Sequence, residues 1–484
     1  MFPVIGSSRS TSALGRTVVA DALRGVDPVG ARAAEGETSW RSEYRVHFRR
    51  LVEAGLLSPS SAVTIARNGL AELQERMRFS TVDAVGGGGE EITLPQAIAL
   101  PVKEALKTVV VAGSGPVERE LVLPYHGDRL RGDALHRQLD HWVGAGVIEP
   151  SCADAVRLVA DNPQWLRLEG QRVVVLGAGA EMGPLTALLR WGAEVVAVDL
   201  PNPALWQRLV ATAQRYAGRL HLPAAERRHD LGAGTGMGAD LLHEVNRVAA
   251  WIGGLEGPLV LGNYVYADGA THVRVTTAVD ALTVHLLRAR SDVALAFLAT
   301  PTDVFAVPPE AVEEATRRYA QAAGISRLRR PLRMVSVGRL FARNYPPGAD
   351  PGINDTLVLQ QGPNYALAKR IQRWRAIQAR ADGTAVSLRV APATRTRSVV
   401  KNRVLAAAFA GAHRFGIEVF DPATSNTLMA ALLVHDLCSG RTPRQEAWRE
   451  EAFAAAHGGL WRQPYAPRSV LGIAVLLGAG AARG

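Results

Sequence analysis

The apolar positions of the chain alternate between two periods. Val173–Leu176 and Glu194–Val198 are short runs of β-branched and aliphatic residues, the pattern of strands buried on both faces. Between them, Pro184–Trp191 carries apolar residues at helical spacing, and Gly192 ends the run. The same alternation continues downstream. It predicts helices over Trp206–Tyr216, Val245–Ile252, Val275–Leu287, Pro309–Ala323 and Asn364–Ala381. It predicts strands over Gly218–Leu222, Pro258–Leu261, Val293–Leu298, Leu332–Val337 and Ala385–Val390. Residues 398–437 add an Ala-rich helix, a strand Gly416–Phe420 that completes the sheet, and a helix ending near His435. Strands alternating with helices predict an α/β fold, a Rossmann-like doubly wound parallel sheet.

Upstream the pattern differs. Residues 1–40 are rich in Gly, Ala, Ser and Arg with little periodicity, and are expected to be a flexible N-terminus. Tyr44, Phe48, Leu51 and Val52 keep a helical register, and Ser58-Pro59-Ser60 opens a second helix bearing Ala62, Ile65, Ala66, Leu70 and Leu73. Gly86–Gly89 reads as a flexible connection. Val109–Val111 suits a helix or a strand, Glu118–Leu123 looks extended, and Asp133–Val143 is an amphipathic helix. Residues 41–165 are therefore expected to form a mostly helical accessory domain covering a substrate pocket, with Asn162-Pro163 at its boundary. Residues 166–437 form the nucleotide-binding domain, with an insertion at about 265–350. Residues 438–484 form a tail that docks on the body or on a second subunit.

Composition narrows the partners. The chain has 484 residues, 48% of them apolar and 21% charged, a globular balance. Its net charge of +10 comes almost wholly from scattered Arg, with Lys only at 103, 107, 369 and 401. A nucleic-acid surface needs a basic stripe with stacking aromatics, so no nucleic-acid partner is expected. No apolar run reaches the roughly 20 residues that span a bilayer, and Val470–Ala479 is the longest candidate. Cys152 and Cys438 have no metal or disulfide spacing, which points to a reducing cytoplasm. His126, His136 and His141 invite a metal reading. However, 136 and 141 are five apart rather than the three or four that share a helix face, so no metal is expected.

Two motifs carry chemistry. Gly177, Gly179 and Gly183 follow the first strand and precede its helix, where glycines let backbone approach a nucleotide diphosphate. Asp199 ends the next strand, 20 residues after Gly179, where a carboxylate accepts ribose hydroxyls. The spacing is one residue longer than the commonest dinucleotide form, which leaves room for a methyltransferase site. The second motif is Tyr365-x-x-x-Lys369. On a helix these residues share a face, and an ammonium one turn from a phenol favours the phenolate, lowering the Tyr pKa.

Taken in order, Gly177/Gly179/Gly183, Asp240-Leu241, Gly262-Asn263, Tyr365/Lys369 and Pro392/Thr396 resemble the short-chain dehydrogenase/reductase family over about residues 170–437. The resemblance implies an NAD-dependent oxidoreductase, with NADP less favoured, acting on a small-molecule substrate; a homo-oligomer is expected. It implies that Tyr365 is the acid/base and that Lys369 holds the nicotinamide ribose. The glycine turn with Ala180, Glu181 and Met182, together with Asp199, Leu200, Asp240, Leu241, Asn263, Tyr264, Pro392 and Thr396, would line the cofactor. The chain departs from the family in two ways. About a hundred residues separate Asn263 from Tyr365, and the family's carbonyl-polarising Ser has no plain counterpart. Gly352 stands at its spacing; Thr300, Thr302, Ser336, Gln360 and Gln361 are alternatives. Tyr264, Tyr266, Asp268 and His272 could line the pocket or form a turn and cap. Arg395 and Arg397 could meet a cofactor phosphate or an anionic substrate, or lie on the surface. An S-adenosylmethionine-dependent methyltransferase and a non-catalytic nucleotide-binding scaffold are the competing readings.

Overall fold

Seven strands build the central sheet: β1 (Leu106–Ala112), β2 (Arg172–Leu176), β3 (Glu194–Val198), β4 (Arg219–Ala225), β5 (Leu259–Asn263), β6 (Val293–Ala299) and β7 (Val386–Val390). The computed structural model describes residues 1–81, 90–225, 230–321, 334, 336 and 339–479. In it the strands lie in the order β7-β6-β5-β2-β3-β4-β1. All neighbours from β7 to β4 are parallel, and β1 closes the edge antiparallel to β4. The protein is thus α/β with a mostly parallel sheet, compatible with a Rossmann-like fold. The chain winds one way from β2 through β4 and the other way from β5 through β7. Its topological switch point therefore lies between β2 and β5, where open α/β sheets bind ligands at the carboxyl ends of the strands.

Strand residues alternate between two apolar cores. Val173, Val175, Val195, Ala197, Leu220, Leu222 and Val260 enter one face, and Val174, Leu176, Val196, Val198, Leu259, Leu261, Leu295 and Phe297 the other. A sheet buried on both sides needs a helical layer on each. The even-numbered face of β2 is covered by Val245–Gly253, Ala270–Ala289 and Gly362–Ala381, and these in turn by Thr11–Arg24, Trp40–Gly55 and Pro59–Arg76. The other face is covered by Gly132–Gly144, Pro150–Asp161, Leu185–Trp191, Pro203–Arg215 and Pro422–Cys438.

This arrangement corrects several expectations. Residues 1–40 are not a loose leader: Thr11–Arg24 and Pro28–Glu35 are capped helices, and Leu14, Val18 and Leu23 are wholly buried. Small residues hid this amphipathic pattern. Residues 41–165 have no core of their own. The part before β1 packs on one face, β1 joins the sheet edge, and the part after it packs on the other face. The insertion lies between β6 and the Gly362–Ala381 helix rather than at 265–350, because Ala270–Ala289 and β6 belong to the sheet's own winding. Its ends are tied by an antiparallel pair, Val304–Val307 with Gly352–Asp355. Gly416–Phe420 does not become a strand. Only Phe420 bridges Thr394, and its ring packs on Trp142 and Tyr125 instead. The tail docks within the chain. Pro467–Gly478 approaches Arg403–Ala412 so closely that a Cβ on Gly411 or Gly478 would fall 2.0 or 1.9 Å from the opposing carbonyl. The Gly86–Gly89 run and most of the predicted strand Leu332–Val337 lie outside the described residues.

The Gly362–Ala381 helix is wedged between β6 and β7 beneath it and the N-terminal helices above it. It is therefore buried almost all round, although its sequence is strongly basic. Asp303 makes this possible. Its carboxylate takes Arg370 at 2.8 Å and Arg373 at 2.6 Å, and Arg373 forms a two-bond pair with Glu451. Two residues after Arg373, Arg375 grips Asp280, which also accepts from Gln74. Burial alone would raise the Asp303 pKa, but Arg370 and Arg373 outweigh it and hold the carboxyl below its ordinary value.

Breaking a buried pair leaves an uncompensated charge, so Asp303→Asn should cost about 3–5 kcal/mol. Removing the exposed Arg24 from Asp21 should cost at most ~1 kcal/mol. Urea denaturation of the two variants checks this, and equal losses would contradict it. A second expectation concerns acid. Glu149, bound by His457 and Arg462, and Asp436, bound by Arg389, are both held at about 2 although burial alone would raise them. A depressed folded-state pKa gives stability that is present above the unfolded value and lost as pH falls toward the folded one. Stability should therefore drop between about pH 4.5 and about pH 2. Denaturation midpoints across that window measure it, and the slope should flatten in Glu149→Gln.

Candidate functional site

The candidate site lies at the carboxyl ends of β2, β3, β5 and β6. β2 ends directly in Gly177, whose φ of +82° suits glycine, and a Cβ there would fall 2.9 Å from the backbone of Tyr264 and Val265. The Gly177 and Ala178 amides donate to the Val198 carbonyl at 2.9 and 3.2 Å, which fastens the turn to the end of β3. Asp199 accepts from the Gly179 and Leu200 amides, both at 2.8 Å. Burial raises its pKa despite these bonds. The carboxylate thus braces the glycine turn and keeps acceptor capacity for another donor.

The turn differs from the sequence picture in one respect. Its helix, Leu185–Trp191, is short, and the Ala180 and Gly183 amides already donate to Gly177 and Ala180 carbonyls within the turn. A helix macrodipole contributes little here. Met182 and Ala180 pack against the apolar core, while Glu181 reaches across to Arg397. Leu200 is exposed. Asp240 lies close by, because the Ala239 amide donates to the Asp199 carbonyl at 2.9 Å. Its carboxylate oxygens are taken by the Leu242 amide and by His243, and Leu241 is buried.

Across the switch point, β5 ends in Asn263, which is buried. Its Oδ1 accepts from the Val265 amide and from Gln372 Nε2, each at 3.4 Å. The Tyr264 ring folds back over Gly262 into the apolar core, and burial raises its pKa. It is therefore a packing residue, and the expectation that its side chain lines the cofactor is corrected. Pro392 is buried after β7, and Thr396 lies 2.9 Å from Ser398.

Tyr365 and Lys369 stand one turn apart near the start of the Gly362–Ala381 helix, both half-buried. The Thr300 side chain, just after β6, approaches the Tyr365 hydroxyl and draws its pKa downward. Burial dominates, however, so the Tyr365 pKa lies above its ordinary value. The expected depression by Lys369 is not found: the phenol is neutral, a proton donor. Thr300 itself is held at 2.9 Å from Thr302, which accepts from Gln361 at 2.6 Å. Gly352, the position that spacing singled out, instead sits in a strand opposite Val307. Gln360 is exposed, and Ser336 accepts from the Leu340 amide.

Burial lowers the Lys369 pKa to about 8, with Asp303 partly opposing the shift. Its ammonium donates to Gln372 Oε1 at 3.2 Å, and Gln372 in turn reaches Asn263. Gln372 was missed in the sequence, although its position three residues after Lys369 places both on one helix face. The NYVYADGATH segment forms the opposite wall. His272 is 1% exposed, and its ring centroid lies 5.6 Å from that of Tyr365 and 5.2 Å from that of Tyr266. Burial, with Lys369 adding to it, pushes the His272 pKa down to about 3, so the imidazole is neutral. Tyr266, whose hydroxyl bonds Asp268 at 3.0 Å, is half-exposed at the mouth.

No protein-family model matches the chain, and none of the curated proteins does. No helix among the described residues is long and apolar enough to cross a membrane. Among the described residues, no group of three or more His, Cys, Asp or Glu is arranged to hold a metal ion.

Lys369 should titrate far below the ordinary lysine value. The pH dependence of its acylation by trace acetic anhydride, read by peptide mass spectrometry, should inflect at about 8. Asp303→Asn should move the inflection lower, since Asp303 favours the charged form. An inflection near 10.5 would place the ammonium in open solvent.

Proposed function

We propose that this chain is a nicotinamide-dependent oxidoreductase of the short-chain dehydrogenase type, acting at a carbonyl or alcohol carbon. The observation that carries this reading is the meeting of Thr300, Tyr365 and Lys369 at the carboxyl edge of the sheet, beside the switch point. Thr300 comes from a stretch of chain remote from the Tyr365/Lys369 helix, and a packing role requires no such convergence of hydroxyl, phenol and ammonium.

The glycine turn fits a dinucleotide at Gly177, where no side chain can intrude, and at Asp199, which retains acceptor capacity for ribose hydroxyls. A carboxylate at that position favours NAD over NADP. The nicotinamide, when bound, supplies or accepts the hydride. In the reducing direction the Tyr365 phenol gives its proton to the carbonyl oxygen, and its raised pKa keeps that proton in place until it is needed. Thr300 donates a hydrogen bond to the same oxygen and takes the part of the family's Ser. Lys369 holds the nicotinamide ribose, and Gln372, itself bonded to Asn263, keeps the ammonium in place. Tyr266 and His272 wall the pocket for a small-molecule substrate. The setting is a reducing cytoplasm. A homo-oligomer must use a surface other than Ala270–Ala289 and Gly362–Ala381, which the chain's own N-terminal helices cover.

Tyr365→Phe should lower turnover on a panel of aldehydes and ketones with NADH by at least about 100-fold, while NAD affinity stays within about twofold. Thr300→Val should also lose turnover, and Thr300→Ser should restore most of it. Thermal stabilisation by S-adenosylmethionine but not by NAD or NADP would sink the reading, because a ligand of the folded state must raise its stability.

A further inference from the structure

The glycine turn carries an acidic residue where a diphosphate would meet it, and that residue is already engaged. Glu181 Oε2 accepts from the Arg397 backbone amide at 2.8 Å, and its Oε1 accepts from Arg397 Nε at 2.9 Å. One carboxylate thus joins a guanidinium and a backbone amide, the donor set that oxygens of a phosphate also take. The Glu181 backbone is separately fixed, since Asn426 Nδ2 donates to its carbonyl at 3.4 Å. The turn can therefore stay in place while the side chain leaves.

The pair is poorly suited to a structural role. The Arg397 side chain is 64% exposed and that of Glu181 26%. Exposed pairs of this kind add little to stability and exchange readily. Arg397 also lies on the segment that follows β7, at the start of the short helix Arg397–Lys401. A residue that is cationic, weakly held and seated against the glycine turn has the properties of an anion ligand in waiting.

We propose that Arg397 binds the diphosphate of an adenine dinucleotide, and that Glu181 stands in for that diphosphate in the ligand-free protein. This rests on the dinucleotide reading above. When the ligand enters, its diphosphate displaces the Glu181 carboxylate from Arg397, and the 395–398 segment is then held by the ligand rather than by the turn. Glu181 competes with the ligand and repels it, so the two residues have opposite effects on affinity.

ADP-ribose, NAD and adenosine are the probes, titrated calorimetrically into the full chain and its variants at low and at physiological salt. Arg397→Gln should weaken ADP-ribose and NAD about tenfold or more and leave adenosine unchanged, and Arg397→Lys should recover part of the loss. Glu181→Gln should tighten ADP-ribose and NAD severalfold, with less salt sensitivity in Arg397→Gln than in the unmodified protein. If the unmodified chain binds ADP-ribose but neither variant alters it beyond twofold, or if Glu181→Gln weakens it, this proposal is overturned while the dinucleotide reading stands. If the unmodified chain binds S-adenosylmethionine and no ADP-ribose, the dinucleotide reading itself fails.

Discussion

The structure depends on the burial of a basic helix. Gly362–Ala381 presents Arg370, Arg373 and Arg375 to the interior, and each must find a carboxylate because an isolated buried charge is prohibitively costly. Asp303 supplies two of these contacts, Glu451 completes one, and Asp280 takes the third. The net worth of such pairs against an apolar replacement is small, but their cost when broken is large. They act chiefly as a register device. Only one rotation and one depth of the helix satisfy all three guanidinium groups at once, and that rotation points Tyr365 and Lys369 toward the sheet edge.

The same constraint joins distant parts of the chain. Asp303 begins the insertion after β6, Glu451 lies in the C-terminal region, Asp280 in the helix after β5, and Gln74 in an N-terminal helix. Gly69 fits against the Trp374 ring, where a Cβ would come within 2.4 Å of it, and Tyr44 donates to the Val358 carbonyl just before the helix. The N-terminal helices are thus the outer layer over the helix that carries Tyr365 and Lys369. Burial of this helix lowers the Lys369 pKa and raises that of Tyr365. An open helix of the same sequence would leave both groups near their ordinary values.

The two halves of the candidate site have different characters. The glycine-turn half is built from backbone, with Gly177 pressed on β5 and Asp199 bracing the turn. The Tyr365 half is built from side chains held by other side chains: Gln361 on Thr302, Thr302 by Thr300, and Lys369 on Gln372 on Asn263. The first arrangement is local in sequence and the second is not.

That difference explains what could be read in advance. Strand runs such as Val173–Leu176 and Glu194–Val198 were legible because a strand buried on both faces must be apolar at every position. Helix limits at Gly192, Pro309 and Ala381 were legible because caps and breakers act over a single turn. The glycine turn and the Tyr365/Lys369 spacing were legible for the same reason. What the sequence could not show is which distant segments meet. Leu106–Ala112 became an edge strand only because β4 offered an open side, whereas Gly416–Phe420, with comparable strand character, was drawn off by the Trp142 pocket. Thr300 came to Tyr365 because the insertion folds away between them, so spacing alone pointed to Gly352. The pKa of Tyr365 moved opposite to expectation because burial, a property of the whole packed layer, outweighs anything one neighbour on the same helix contributes. The sequence alone determined the elements and their chemistry, because these follow from interactions within a few residues. Only the tertiary structure decided the neighbours and the charge states, because desolvation and contact depend on residues hundreds of positions apart.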